Sequence, residues 1–247
     1  MKKYNIHFSF IILLVASLML GLFKNMLLIL ICFAIHELGH LFFIKIFKYR
    51  FSNFSLYPYG GVISYQEKND FLFKQIFITL GGVIANFVFY LLFLILGIKD
   101  FAKLNFYFII INLIPIYPLD GGKLLLLFIA YFLPNKLARF IVYSFSIILV
   151  VLSVILFKFD GIFFYFTTVM IIKENILGLI NINKNYKKFT LLKYLNKNSK
   201  LKDKETRFWV NNPIDNLFIG KNMVFDYETF KVREEEVLNK YFKNKKD

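Results

Sequence analysis

The sequence predicts an all-α polytopic membrane protein: about six transmembrane helices, a small membrane-associated β-hairpin and a short cytoplasmic tail. Three observations carry that prediction. Hydrophobic residues make up 58% of the 247 positions and mean hydropathy is +0.58, well above a soluble globular domain. Apolar runs recur along residues 1–180 at lengths suited to a bilayer core. The net charge of +15 gathers between those runs and in the tail, as it does when loops and not spans meet water.

The first span covers residues 6–23. Lys2 and Lys3 followed by an apolar stretch resemble a secretory signal, but no small-residue cleavage site follows, so the span is expected to be retained. A turn at Lys24-Asn25 leads to the second span, residues 26–47. Between Lys48 and Asp70 the pattern changes to partial alternation around Pro58 and Gly60-Gly61, which predicts two short strands and a turn. Non-helical backbone near membrane depth must be covered by protein or line a watery cavity. A third span follows over 71–97, with Gly81-Gly82 and a lone Asn86.

The fourth span, 101–133, is broken. Pro115, Pro118, Gly121 and Gly122 interrupt its middle, where helical hydrogen bonding cannot continue. The fifth and sixth spans cover 140–157 and 161–180. Lys45, Lys48, Arg50, Lys68, Lys74, Lys136 and Arg139 fall on the side of the termini, against Lys24, Lys99, Lys103 and Lys158 opposite. That asymmetry predicts cytoplasmic termini. Residues 181–247 form a basic tail with 16 Lys/Arg against 9 Asp/Glu. It opens with a connector, 184–202, holding seven lysines and no acid, which reads as a solvated linker. Beyond it a hairpin is expected near 208–210 and 218–225, then an amphipathic helix over 227–242. The charge argues for anionic lipid rather than direct nucleic-acid contact, since no nucleic-acid-binding motif accompanies it. Cys32 has no cysteine partner and reads as a small buried hydrophobe.

The chemistry sits in His36-Glu37-Leu38-Gly39-His40, within the second span. Histidines four apart share one helix face and can reach a single zinc ion, with the intervening glutamate placed to act as a base. Ionisable groups at membrane depth are costly and mark functional sites. A catalytic zinc takes three protein ligands, so one is missing. His7 lies at the interface. Asp70, Asp100, Asp160 and Glu174 fall at span ends, whereas Asp120 sits in the broken helix and can face inward; Asp120 is the expected third ligand. As packed residues without metal, His36, Glu37 and His40 would be strongly destabilising in a span. Asp120 also suits a turn in Pro118-Leu119-Asp120-Gly121-Gly122. Asn86 and Asn112 suit either helix-to-helix hydrogen bonding or contact with substrate backbone. Gly60 and Gly61 suit a turn first and a substrate platform second.

His36-Glu37-Leu38-Gly39-His40, together with Asn112-Leu113-Ile114-Pro115-Ile116-Tyr117-Pro118-Leu119-Asp120-Gly121-Gly122, resembles the site-2 protease family of intramembrane zinc metalloproteases. The six-span layout and Pro58-Tyr59-Gly60-Gly61-Val62 look most like its stage IV sporulation FB branch, and no stretch is long enough for an inserted PDZ domain. The resemblance covers about residues 1–180. It implies His36, His40 and Asp120 as zinc ligands, Glu37 as base, and substrate contacts at Asn86, Asn112, Pro58, Gly60 and Gly61. It further implies a sigma-factor precursor as protein substrate, membrane inhibitor or regulator partners, and a place in the mother-cell membrane around the forespore. Two features depart from the pattern. Gly82 is followed by Val83 where the family often has proline, and the tail lacks a recognisable CBS pattern. The alternatives are a general site-2 protease acting on membrane-bound anti-sigma factors and a zinc-binding transporter or scaffold without turnover. Glu37 between the histidines argues against the last, since binding alone does not need it.

Overall fold

The structure is a computed structural model that describes residues 3–21, 23–57, 60–65, 72–156, 162–195, 201, 203–207, 213–226 and 231–243. Pro58, Asp70, Asp160 and the strand expected at 208–210 lie outside them.

The chain opens with a strand that the sequence reading did not anticipate. β1 (Lys3–Ile6) pairs parallel to β2 (Phe51–Tyr57), which pairs antiparallel with β3 (Gly60–Tyr65). Ile6, expected to begin the first span, is therefore in the sheet. Helix α1 (Phe8–Met19) follows, capped by His7, whose Nδ1 accepts from the Ser9 N–H at 3.3 Å. The turn before the next helix falls at Leu20–Gly21, not at Lys24-Asn25. Gly21 has a φ of +71°, which suits glycine at a helix C-terminus. α2 starts at Phe23 and runs Phe23–Ile46.

After the sheet come α3 (Leu72–Ile95), α4 (Lys99–Leu113), α5 (Asp120–Phe132), α6 (Asn135–Leu156) and α7 (Ile162–Ile180). Met26–Ile46, Leu72–Ile95 and Asn135–Leu156 are long and apolar enough to cross a membrane. α1, α4 and α5 have 12, 15 and 13 residues, about 18–23 Å at 1.5 Å per residue and so short of a full crossing each. α7 has 19 residues but carries Lys173 and Glu174. Among the described residues, shorter or more polar helices thus stand beside the three full-length ones. Phe42, Ile155 and Val169 are among many large apolar side chains left exposed, as lipid contact requires.

α2 and α3 cross at glycine. A Cβ on Gly39 would strike the carbonyl of Gly81, and one on Gly81 would meet the Gly39 oxygen at 2.6 Å. Backbones approach this closely only where both residues are small. The crossing sets α3 directly against the histidine face of α2.

The segment between α4 and α5, residues 114–119, is not helical. Its backbone polar groups are met from neighbouring helices: Ser146 accepts from the Tyr117 N–H at 2.9 Å, and Asn175 donates to the Tyr117 carbonyl at 2.6 Å. Buried backbone without such partners would be costly at this depth. Gly121 and Gly122 let α5 fold back on this segment, for a Cβ on either would strike its backbone.

The expected lysine linker is largely helical: α8 (Ile182–Leu195) holds residues 184–195 of it. β4 (Asp203–Arg207) pairs parallel with β5 (Asn222–Asp226), and a 3-10 turn at Pro213–Asn216 lies between them in sequence. β6 (Lys231–Arg233) runs antiparallel to β5, and α9 (Glu234–Lys243) closes the tail. Its core is Tyr186, Leu217, Phe218, Met223, Phe225 and Leu238. Lys193, 2% exposed, bonds Glu234 at 2.8 Å and 2.9 Å, and burial raises the Glu234 carboxyl above its usual range. The tail docks on the spans: Asn135 N–H donates to the Leu217 carbonyl at 2.9 Å, and Ile219 joins Leu126, Leu127, Ala130, Ala138 and Val142 in one core.

Candidate active site

The sequence motif puts His36 and His40 on one face of α2, and the α2–α3 crossing buries that face. Gly82 makes room there, since a Cβ on it would meet the His40 Nε2 at 2.6 Å and the His36 Nε2 at 2.5 Å. His36 Nδ1 lies 3.1 Å from Asn86 Oδ1, and His40 Nδ1 lies 2.8 Å from the Ile78 carbonyl. Both partners are acceptors, so each imidazole donates through Nδ1 and presents a bare lone pair at Nε2. Asn86 keeps its orientation by donating to Asn105 Oδ1 at 3.1 Å, and Asn105 donates in turn to the Phe101 carbonyl at 2.8 Å.

Asp120, at the start of α5, is brought to the same point. Its Oδ2 lies 3.0 Å from His36 Nε2 and 3.1 Å from His40 Nε2, and the two Nε2 atoms are 3.1 Å apart. Its Oδ1 is held by the Lys123 ammonium at 3.0 Å. Three electron-pair donors therefore converge in a buried space with no donor between them, and Asp120 Oδ2 carries no hydrogen bond. Buried polar atoms are seldom left so. A cation satisfies all three at once. A tetrahedral zinc with bonds near 2.0–2.2 Å keeps its ligands about 3.3 Å apart, close to the separations seen, and one carboxylate with two imidazoles is a catalytic-zinc donor set. The residues present fit that ion.

Glu37 is 7% exposed, and its Oε2 has no hydrogen-bond partner. The carboxylate rests on β3: a Cβ on Gly61 would meet the Glu37 Cδ at 2.6 Å. The two glycines of the hairpin thus serve different ends. Gly60 has a φ of +142°, a conformation glycine alone adopts readily, whereas Gly61 supplies space for Glu37. β3 is the outer strand of the sheet order β1-β2-β3 among the described residues, and it is the strand that touches Glu37.

The asparagines separate. Asn86 is fully buried behind His36, its Oδ1 facing that ring and its amide nitrogen donating to Asn105. Asn112 donates to the Phe108 carbonyl of its own helix at 3.0 Å and is not joined to the cluster. Asn105, Lys123, Ser146 and Asn175 were missed by the sequence reading. Asn105 and Asn175 carried the signal that singled out Asn86, a lone amide in an apolar helix. Lys123 stood one turn after Asp120, where opposite charges meet.

Residues 24–102 match the model for peptidase family M50, a stretch that includes His36, Glu37, His40 and Asn86. The fold is similar to that of the site-2 protease from Methanocaldococcus jannaschii, with a TM-score of 0.55 and 19% identity over 73% of this chain and 89% of that one. The family match thus takes in about a third of the chain, with the first motif inside it, while the likeness of fold extends over most of the chain. Among curated proteins, it is 31% identical over 147 residues to stage IV sporulation protein FB from Bacillus subtilis (strain 168). That match takes in 56% of this chain and 51% of the relative, so the chain spans about half the length of the curated protein it matches.

Proposed function

We propose that the chain is a zinc-dependent intramembrane endopeptidase, with His36, His40 and Asp120 holding the ion and Glu37 as base. The observation that carries this reading is the trio of convergent, hydrogen-free donor atoms beside a buried carboxylate that packs against β3, an outer strand of its sheet. Zinc, when bound, acidifies a water molecule and polarises a peptide carbonyl. The protein does the rest. The Asn86 and Ile78 acceptors hold both imidazoles in the tautomer that offers Nε2. Lys123 fixes one Asp120 oxygen and leaves the other for the ion. An extended substrate segment adds to the edge of β3 through main-chain hydrogen bonds, which sets its scissile peptide beside Glu37. Glu37 takes a proton from water and returns it to the departing amide nitrogen.

Residues 1–180 form the protease unit and residues 181–247 a cytoplasmic tail docked on it, with both termini cytoplasmic. The likeness to the sporulation protein supports a sigma-factor precursor as substrate, cut at the mother-cell membrane around the forespore under control of membrane regulator proteins. The test is co-expression with such a precursor, wild type beside Glu37→Gln, with product size read by immunoblot. Cleavage by wild type alone is expected. Equal cleavage by both refutes the role of Glu37, and no cleavage by either refutes the precursor as substrate.

A further inference from the structure

Between the site and the tail lies a cavity of about 340 Å³, reaching from Glu37, His40 and Asp120 to Arg139 and Lys188. β3 lines it through Gly61, Ile63, Ser64 and Tyr65, while α8 and the Ile219–Gly220 segment form the opposite side. Its charge is lopsided. The acids on its wall are Glu37 and Asp120, both engaged at the site end, against Lys123, Arg139, Lys188 and Lys193. Lys123 is bonded to Asp120 and Lys193 to Glu234. Arg139 has only neutral partners among the described residues: its Nε donates to Asn135 Oδ1 at 2.9 Å and one Nη to the Tyr143 hydroxyl at 3.4 Å. A guanidinium has five N–H donors, so most of its fork remains for a ligand, and Asn135 and Tyr143, both buried, hold its stem in place.

We propose that Arg139 is a specificity residue: it receives an acidic side chain of the substrate segment that lies in this cavity. The inference rests on the protease reading and adds a substrate class to it, segments with Asp or Glu displaced from the scissile peptide toward the tail. A half-buried guanidinium walled by protein binds carboxylate bidentately and more strongly than in open water. A peptide, rather than a lipid phosphate, is favoured because the same cavity contains Glu37 and is flanked by the strand edge on which a peptide can extend.

The test uses the full chain as Glu37→Gln, zinc-loaded in neutral-lipid nanodiscs so that nothing bound is consumed, exposed to an immobilised random octapeptide library. Asp and Glu are expected to be enriched at one position, by at least about tenfold for hydrogen bonds to a charged group. The added change Arg139→Glu should replace that enrichment by Lys and Arg, and Arg139→Gln should abolish it, with zinc content reporting that each variant is folded. No acidic enrichment, or the same enrichment in both Arg139 variants, overturns the proposal. Failure of the protease reading shows itself separately, as acidic enrichment by a chain whose wild type cleaves no membrane-tethered reporter carrying the selected peptides.

Discussion

Asn86→Ala tests whether the site is organised from behind the histidines. The substitution removes the acceptor 3.1 Å from His36 Nδ1 and leaves the metal-facing atoms untouched. Asn105 loses one donor but keeps its bonds to the Phe101 carbonyl and Cys32 Sγ, so α4 stays tied to α2 beside the site. His36 is then free to rotate or to switch tautomer, and each departure withdraws Nε2 from its partners. Loss of such an outer partner lowers metal affinity by about 10–100-fold, or about 1.4–2.7 kcal/mol. Zinc affinity is read on the purified protein in detergent by competition with a chromogenic chelator at fixed pH. Asn112→Ala is the internal comparison, because among the described residues Asn112 bonds only its own helix, and it should leave zinc affinity unchanged. An Asn86→Ala protein of native helicity that binds zinc within twofold of wild type would refute the reasoning, as would an equal loss in Asn112→Ala.

Five further outcomes follow from the geometry. Glu37→Gln keeps zinc content, read by atomic emission, while proteolysis falls by about 10²–10⁴-fold, the usual worth of a positioned acid–base group. Gly61→Ala pushes a methyl into the Glu37 carboxylate and should lower cleavage without lowering zinc content, whereas Gly82→Ala pushes one into both Nε2 atoms and should lower zinc content itself. Gly39→Ala forces α2 from α3 and should cost about 1–3 kcal/mol as an overpacked core does, seen as a lower thermal midpoint. Lys193→Met strands a buried Glu234 at a cost of about 3–5 kcal/mol to the tail; faster limited proteolysis of residues 181–247 reads that loss, and adding Glu234→Leu should restore much of it.

The sequence by itself determined the membrane setting, the broken fourth span and the donor types. Those follow from local facts: apolar run length, proline and glycine chemistry, and a four-residue histidine spacing that matches a helical turn. It also singled out Asp120, because a carboxylate inside an apolar segment has few stable places to be. What it could not determine depended on which segments meet. Asn86 and Asn112 look alike in one dimension, yet a crossing at Gly39 and Gly81 puts one behind His36 and leaves the other on its own helix. The parallel strand at Lys3–Ile6 pairs across some fifty residues, a partnership that no local pattern records. The lysine connector read as solvated because its charge dominates its composition, but α8 gathers Ile182, Tyr186 and Thr190 onto a buried face and takes Lys193 to Glu234. Long-range packing alone assembled the donor trio, because the two histidines stand 84 and 80 positions before the aspartate in sequence and the α2–α3–α5 contact joins them.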